Sequence, residues 1–324
     1  MLNYLLRRVL YAVPVLFGVI LFTFLLSFVV QSPQARALKV LGQRATPQSV
    51  AAWLHRRGYD KPKFVNLEPG RPWHDSQFCD HVRKLATFEL GVSDKDGRDL
   101  RQVFLKGAIP SLLITVPALL FGLAVSVSLA LYLVYVRNSG LDVAGVVLAV
   151  ALMSVPSMVY IVFGQALLGL FLHYFPVYGF ELSGLGTARF LLLPVFLMVL
   201  MHLGGDVRLY RAVFIEEIGQ DYVRTARAKG VGQARLLFVH VLKNGMISLV
   251  TLVVAHLPLL VMGSLLLENF FGIPGLGNTL VLAIQESDFA TVFASVYLGS
   301  ILYLAGLMLT DVCYALADPR IRLG

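Results

Sequence analysis

The sequence predicts an all-α membrane protein of six transmembrane helices, and three observations carry that prediction. Of the 324 residues, 57% are apolar and 14% charged, where a soluble domain carries about a quarter charged residues. Apolar runs near the span length of about 20 residues recur at positions 9–30, 109–136, 143–172, 190–203, 246–267 and 292–316. The basic residues sit between the apolar runs, not in one patch. A net charge of +8 distributed this way suits a membrane protein with basic cytoplasmic loops and argues against a nucleic-acid partner.

The first run follows Arg7 and Arg8 and has 22 positions. A secretory signal has an apolar region of only about 7–15 residues, so residues 1–30 are read as an uncleaved first span, despite the cleavage-like Ala35-Arg36-Ala37. Residues 31–106 break the pattern with 14 Lys/Arg, 8 Asp/Glu, Trp53, Trp73 and five prolines. They read as an extracytoplasmic insert between helices 1 and 2. Within it, Thr46-Pro47-Gln48-Ser49-Val50 has the form of a helix start, a Thr cap followed by Pro in the first turn.

Residues 107–324 supply five further spans. Pro110, Pro117, Pro156, Pro194 and Pro258 fall inside them, which suits bent helices whose freed backbone groups neighbours satisfy. Six spans put both termini on one side. Arg7, Arg8, Arg137, seven basic residues in the loop 206–245, Arg320 and Arg322 lie on that side. The opposite short loops hold Arg189 and the acids Glu268, Glu286 and Asp288. Short-loop bias therefore places both termini in the cytoplasm, and the long insert is exempt from the rule. Cys79 and Cys313 then fall on opposite sides, so neither a disulfide nor a metal site is expected of them.

The chain lacks the phosphate-cradling G-x-x-x-x-G-K-[ST]; Ala228-Lys229-Gly230-Val231-Gly232 has the wrong spacing. No nucleophile–base set, C-x-x-C or metal-spaced His pair stands out, so no catalytic residue and no metal ligand is assigned. The span interiors carry no Asp, Glu, Lys or Arg; Asp142, Asp206 and Asp311 lie near ends. An ion-coupled carrier usually buries such groups at mid-membrane, so the energy for transport is expected from a partner. His202 and His256 fall within apolar runs, where each could line a polar path or make a helix-to-helix hydrogen bond.

The loop 206–245 is the most informative stretch. Glu216, Glu217 and Asp221 precede Arg224, Arg227 and Lys229, the order a helix dipole favours. The run Val223, Arg224, Thr225, Ala226, Arg227, Ala228, Lys229 reads as about two helical turns stopped by Gly230. A helical pattern resumes at Ala234. Such a helix suits either docking into a cleft of another protein or lying as an ordinary amphipathic helix on the membrane.

These residues resemble the coupling loop of bacterial ABC importer permeases, which reads E-A-A, three residues, G, nine residues, I-x-L-P. Gly230 matches the glycine, Leu242 the leucine, and Thr225-Ala226 the small pair, while Arg224, His240 and Lys243 depart from it in the manner of the oligopeptide/dipeptide branch. Met1-Leu2-Asn3-Tyr4-Leu5-Leu6-Arg7-Arg8, Phe88-Glu89-Leu90-Gly91-Val92-Ser93, Phe271-Gly272-Ile273-Pro274-Gly275-Leu276-Gly277 and Asp318-Pro319-Arg320-Ile321 resemble the same branch. Where that family usually has G-D-P after the first span, this chain has Gln31-Ser32-Pro33-Gln34. The resemblance implies a type I importer fold in the bacterial inner membrane, a sister permease, an extracytoplasmic solute-binding protein and two cytoplasmic ATPases holding ATP-Mg. It implies ATPase contact at residues 222–230 and a binding-protein contact or gate at Phe271, Pro274, Gly275 and Gly277. Peptide is the expected solute, ahead of nickel or small glycosides. A secondary carrier and an intramembrane enzyme or assembly factor are the rival classes.

Overall fold

The computed structural model describes residues 2–30, 32–42, 45–66, 71–254 and 264–317. His256 and Pro258, the middle of the expected fifth span, and the C-terminal Asp318-Pro319-Arg320-Ile321 lie outside them. The described residues form helices and turns, with an isolated bridge between Val92 and Asp99. The chain divides into two compact units, residues 1–107 with 279–304 and residues 108–278 with 305–324.

The first unit contains α1 (Leu2–Val30), α2 (Pro33–Leu41), α3 (Pro47–Arg56) and α4 (Gln77–Ala86). The three short helices lie in the insert, and each begins at a hydroxyl cap. Ser32, Thr46 and Ser76 accept from the N–H three residues on, at 3.2, 3.3 and 3.3 Å. The helix start expected at Thr46-Pro47 is present. Ile20 of α1, Leu85 of α4 and Tyr297 form a buried core, and the Tyr297 hydroxyl donates to Leu85 O at 3.0 Å. Asp288 fastens the end of the insert. Its carboxylate accepts from Ser93 Oγ (2.6 Å) and Asp94 N–H (3.0 Å), and also from Thr291 N–H (3.2 Å) and Thr291 Oγ1 (2.6 Å). It thereby caps the helix that opens at Phe289.

The remaining helices among the described residues are α5 (Leu100–Tyr135), α6 (Gly140–Met153), α7 (Ser157–Gly164), α8 (Leu185–Ile218), α9 (Asp221–Ala228), α10 (Gln233–Arg235), α11 (Leu242–Val254), α12 (Leu265–Phe271), α13 (Leu276–Gln285) and α14 (Phe289–Ala317). Wide π-helical segments continue α7 through Gln165–Phe171 and join α10 to α11 through Leu236–Val241. In the second unit α6 packs on α8 at Gly204, where a Cβ would fall 3.1 Å from Leu152 Cβ. Arg211 of α8 grips Asp142 of α6 bidentately, at 2.9 and 2.8 Å.

Four described helices are long and apolar enough to cross a membrane alone: Leu10–Phe28, Leu100–Tyr135, Gly186–Ile218 and Phe289–Val312. Three bent pairs raise the number to as many as seven. The expected third span is one of them, turning by 90° between Gly140–Met153 and Ser157–Phe171. Pro156 lacks an N–H and pushes Val155 out of the helical region, so a bend expected inside one span becomes a break. Another pair, Leu265–Phe271 with Leu276–Gln285 at 78°, occupies the place read as an outer loop. The helix expected over 190–203 runs instead through Leu185–Ile218, 34 residues or about 51 Å, well beyond a hydrocarbon core of about 30 Å. Its polar half keeps the helix because Arg and Glu are good helix formers.

Candidate functional site

The helix expected over Val223–Lys229 is α9, Asp221–Ala228. One face is anchored. Val223 is fully buried among Tyr210 and Phe214 of α8, Leu131 and Val134 of α5, and Leu236, Leu237 and Val241 of the π-helical segment. Tyr222, Ala226 and Val231 pack on the same cluster. The Tyr222 hydroxyl donates to Glu217 Oε2 at 2.8 Å, and burial, together with that carboxylate, pushes the phenol above its ordinary range. The opposite face, Asp221, Arg224, Thr225, Arg227, Ala228 and Lys229, is exposed. Arg224 makes a loose pair with Asp221 at 3.4 Å, so that face presents small side chains framed by cations.

Gly230 ends the helix as the sequence predicts. Its φ is +79°, a left-handed conformation that favours glycine. Gly230 N–H donates to Arg227 O (2.9 Å) and Val231 N–H to Ala226 O (3.2 Å). These two bonds make a Schellman cap, and Val231 supplies its apolar contact. The chain re-enters helix at Gln233, whose side chain donates to Tyr135 O at 3.1 Å.

The second expected site, Phe271, Pro274, Gly275 and Gly277, forms the elbow between α12 and α13. Its organiser is a residue that sequence reasoning did not assign. Glu268 is fully buried. Oε1 accepts from Ser111 Oγ (2.8 Å) and Ser264 N–H (3.1 Å), and Oε2 from Asn278 N–H (3.0 Å). Ser111 Oγ in turn accepts from Leu276 N–H at 2.8 Å. The carboxylate and the serine thus satisfy the first N–H groups of α13, where a negative charge is favoured. This explains the two glycines. A Cβ at Gly275 would overlap the Glu268 carboxylate and lie 2.5 Å from Ser111 Oγ, and one at Gly277 would lie 2.9 Å from the Leu265 backbone. Gln165 Nε2 holds the preceding turn by donating to Phe270 O and Val177 O, each at 3.0 Å. Phe271 O accepts from Gly179 N–H at 2.8 Å. The available signal was a lone acid set just before a Pro-Gly-x-Gly turn in apolar surroundings.

His202 makes a hydrogen bond within its own helix, with Met198 O at 2.9 Å, and none to another helix among the described residues. It lines a cavity of about 110 Å³ with Thr115, Tyr210 and Asp206.

Residues 122–323 match the family described as binding-protein-dependent transport system inner membrane component. Residues 1–68 match that family's N-terminal component. The chain is 31% identical over 320 residues to a putative peptide transport system permease protein of Brucella abortus (strain 2308), covering 98% of each. It is 28% identical over 349 residues to the dipeptide transport system permease protein of Escherichia coli (strain K12). To the di/tripeptide transport system permease protein of Pseudomonas aeruginosa (strain UCBPP-PA14) it is 31% identical over 350 residues. Both of these alignments cover 99% of each chain.

Proposed function

This chain belongs to the binding-protein-dependent transport system inner membrane components, and from that premise we propose that it is half of the translocation path of an ATP-driven peptide importer. Peptide is the solute because the relatives matching its whole length are named for peptide, dipeptide or di/tripeptide transport. The reading has six spans, both termini in the cytoplasm and the insert outside, with a sister permease completing the path.

The observation that carries the coupling role is the two-faced build of α9. Its apolar face is keyed into α5, α8 and the segment leading to α11, while its cationic face is open. A helix seated on three others cannot be pushed without moving them, because a close-packed cluster transmits displacement instead of absorbing it. Two cytoplasmic ATPases holding ATP-Mg would take the exposed face in a cleft, with Arg224 and Arg227 meeting acids there. The elbow at Phe271–Gly277 serves as an outer gate or a contact for the solute-binding protein.

The test is a single-cysteine crosslink from position 228 to the ATPase of the purified complex. Crosslinking that changes between ATP-bound and nucleotide-free states supports the reading. A chain that transports in proteoliposomes with no ATPase subunit and no ATP would overturn it.

A further inference from the structure

A cavity of about 210 Å³ lies wholly within the first unit, between the last turns of α1, the insert and the first turn of α14. Arg36 lines it and is only 8% exposed. Its Nη1 donates to the Tyr59 hydroxyl (3.2 Å), its Nη2 donates to Ser27 O (2.9 Å), and its guanidinium carbon sits 5.7 Å from the Phe293 ring centroid. All three partners are neutral, and Nε has no hydrogen-bond partner among the described residues.

Neither acid of the lining bonds Arg36 directly, although Asp94 lies close enough for the Arg36 and Arg57 charges both to favour its ionised form. Asp80 pairs with Lys61 at 2.6 Å; Asp94 pairs with Arg57 at 3.6 Å and accepts from Ala290 N–H at 3.2 Å. Lys84 also borders the cavity and is exposed. His81 Nε2 is buried with no hydrogen-bond partner among the described residues. Burial, reinforced by the Lys84 and Arg36 charges, holds that imidazole down to about 4, so it is neutral at pH 7. Three cations, Arg36, Arg57 and Lys84, therefore face two acids, of which Asp80 is already matched by Lys61. Asp94 is shared between Arg57 and Arg36, so one buried guanidinium has no carboxylate bonded to it among the described residues; that is costly, and its planar fork suits phosphate and carboxylate oxygens.

We infer that this cavity is an oxyanion site in which Arg36 holds a phosphate or carboxylate group, with Lys84 at the rim. Two sources share that chemistry. A free anion would enter from the insert side. An anionic phospholipid would bring its headgroup, with its acyl chains lying on the exposed apolar face of α1, where Phe22 is 61% exposed and Leu25 44%.

The test uses the full chain, delipidated in an uncharged detergent, with thermal unfolding followed against added inorganic phosphate and, separately, phosphatidylglycerol. A ligand of the folded state raises the midpoint with concentration. The wild type should respond, and Arg36→Gln should need about tenfold more ligand or more for the same shift. Lys84→Gln, at an exposed position, keeps the test decisive if Arg36→Gln fails to fold, and it too should weaken the response. A response to phosphatidylglycerol alone identifies a lipid headgroup, and a response to phosphate identifies a free oxyanion. No response to either, or equal responses in wild type and both variants, overturns the inference.

Discussion

Replacing Gly230 by valine isolates the cap of α9 from everything around it. Beyond the two adjoining residues, no described atom lies within 4 Å of the position a Cβ would take, so volume is not the obstacle. The penalty is conformational. An L-residue in the left-handed region costs roughly 1–2 kcal/mol, and a β-branched one is a genuine outlier there. Relaxing φ to negative values would break the Gly230-to-Arg227 and Val231-to-Ala226 hydrogen bonds, at about 1 kcal/mol each. Strain and bond loss are of similar size, so the chain divides between a strained cap and an unravelled one. In the unravelled form Val231 leaves the cluster around Phe214. An effect of one to two kcal/mol corresponds to roughly a 5- to 30-fold change in population, which sets the expected fall in ATP-driven uptake. The assay is peptide uptake by proteoliposomes holding the full transporter, with ATP hydrolysis measured in parallel. Uptake should fall while hydrolysis continues. Gly230→Asn should retain most uptake, because Asn tolerates the left-handed region. Unchanged uptake in the valine variant, or equal damage from asparagine, would refute the reasoning.

Three further outcomes are expected. Val223→Ala removes two buried methyl groups beneath α9 and should destabilise the second unit by about 1–2 kcal/mol, read as a lower thermal midpoint; an unchanged midpoint would show that α9 is not seated there. Glu268→Gln turns an amide NH₂ towards backbone donors and should loosen the elbow by about 1–3 kcal/mol, seen as faster hydrogen exchange at Leu276 and Asn278, and unchanged exchange there would contradict the anchoring role. His81 has a folded-state value of about 4, below its ordinary 6.5, so the folded protein holds it neutral. Below pH 6.5 the unfolded chain takes up a proton that the folded chain refuses. Its contribution is therefore full above pH 6.5 and lost as pH falls towards 4, on the order of 3 kcal/mol. His81→Gln should flatten that arm of the stability profile, and a profile parallel to wild type would count against it.

What was legible in the sequence is what short spacings encode. The start at Thr46-Pro47, the bounds of α9 to within two residues and the stop at Gly230 all depend on groups within about five positions. The apolar runs marked the long helices for the same reason. The break at Pro156 was visible as a proline, but whether neighbours would let the helix continue is a tertiary matter. The length of α8 was missed because charge was read as the end of a helix, when it marks only the end of the apolar face. Glu268 was missed because its partner Ser111 lies 157 positions earlier, and no local pattern joins them. Arg36 and Tyr59, 23 positions apart across a polar stretch, are invisible to periodicity in the same way.

The fastening of Ser93 and Asp94 to Asp288 has a consequence for how the protein is made. Ser93 and its acceptor are 195 positions apart. At about 5–20 residues per second, the ribosome delivers Asp288 some 10–40 s after the insert has emerged. During that interval Ser93 and the Asp94 amide are without the carboxylate they bond to in the finished fold. The insert's own hydroxyl caps allow its short helices to form early, but its attachment to Asp288 waits for nearly the whole chain. Translation speed between the insert and the final helix is therefore a variable of assembly. A stall in that interval would lengthen the insert's exposure to proteases without changing a single native contact.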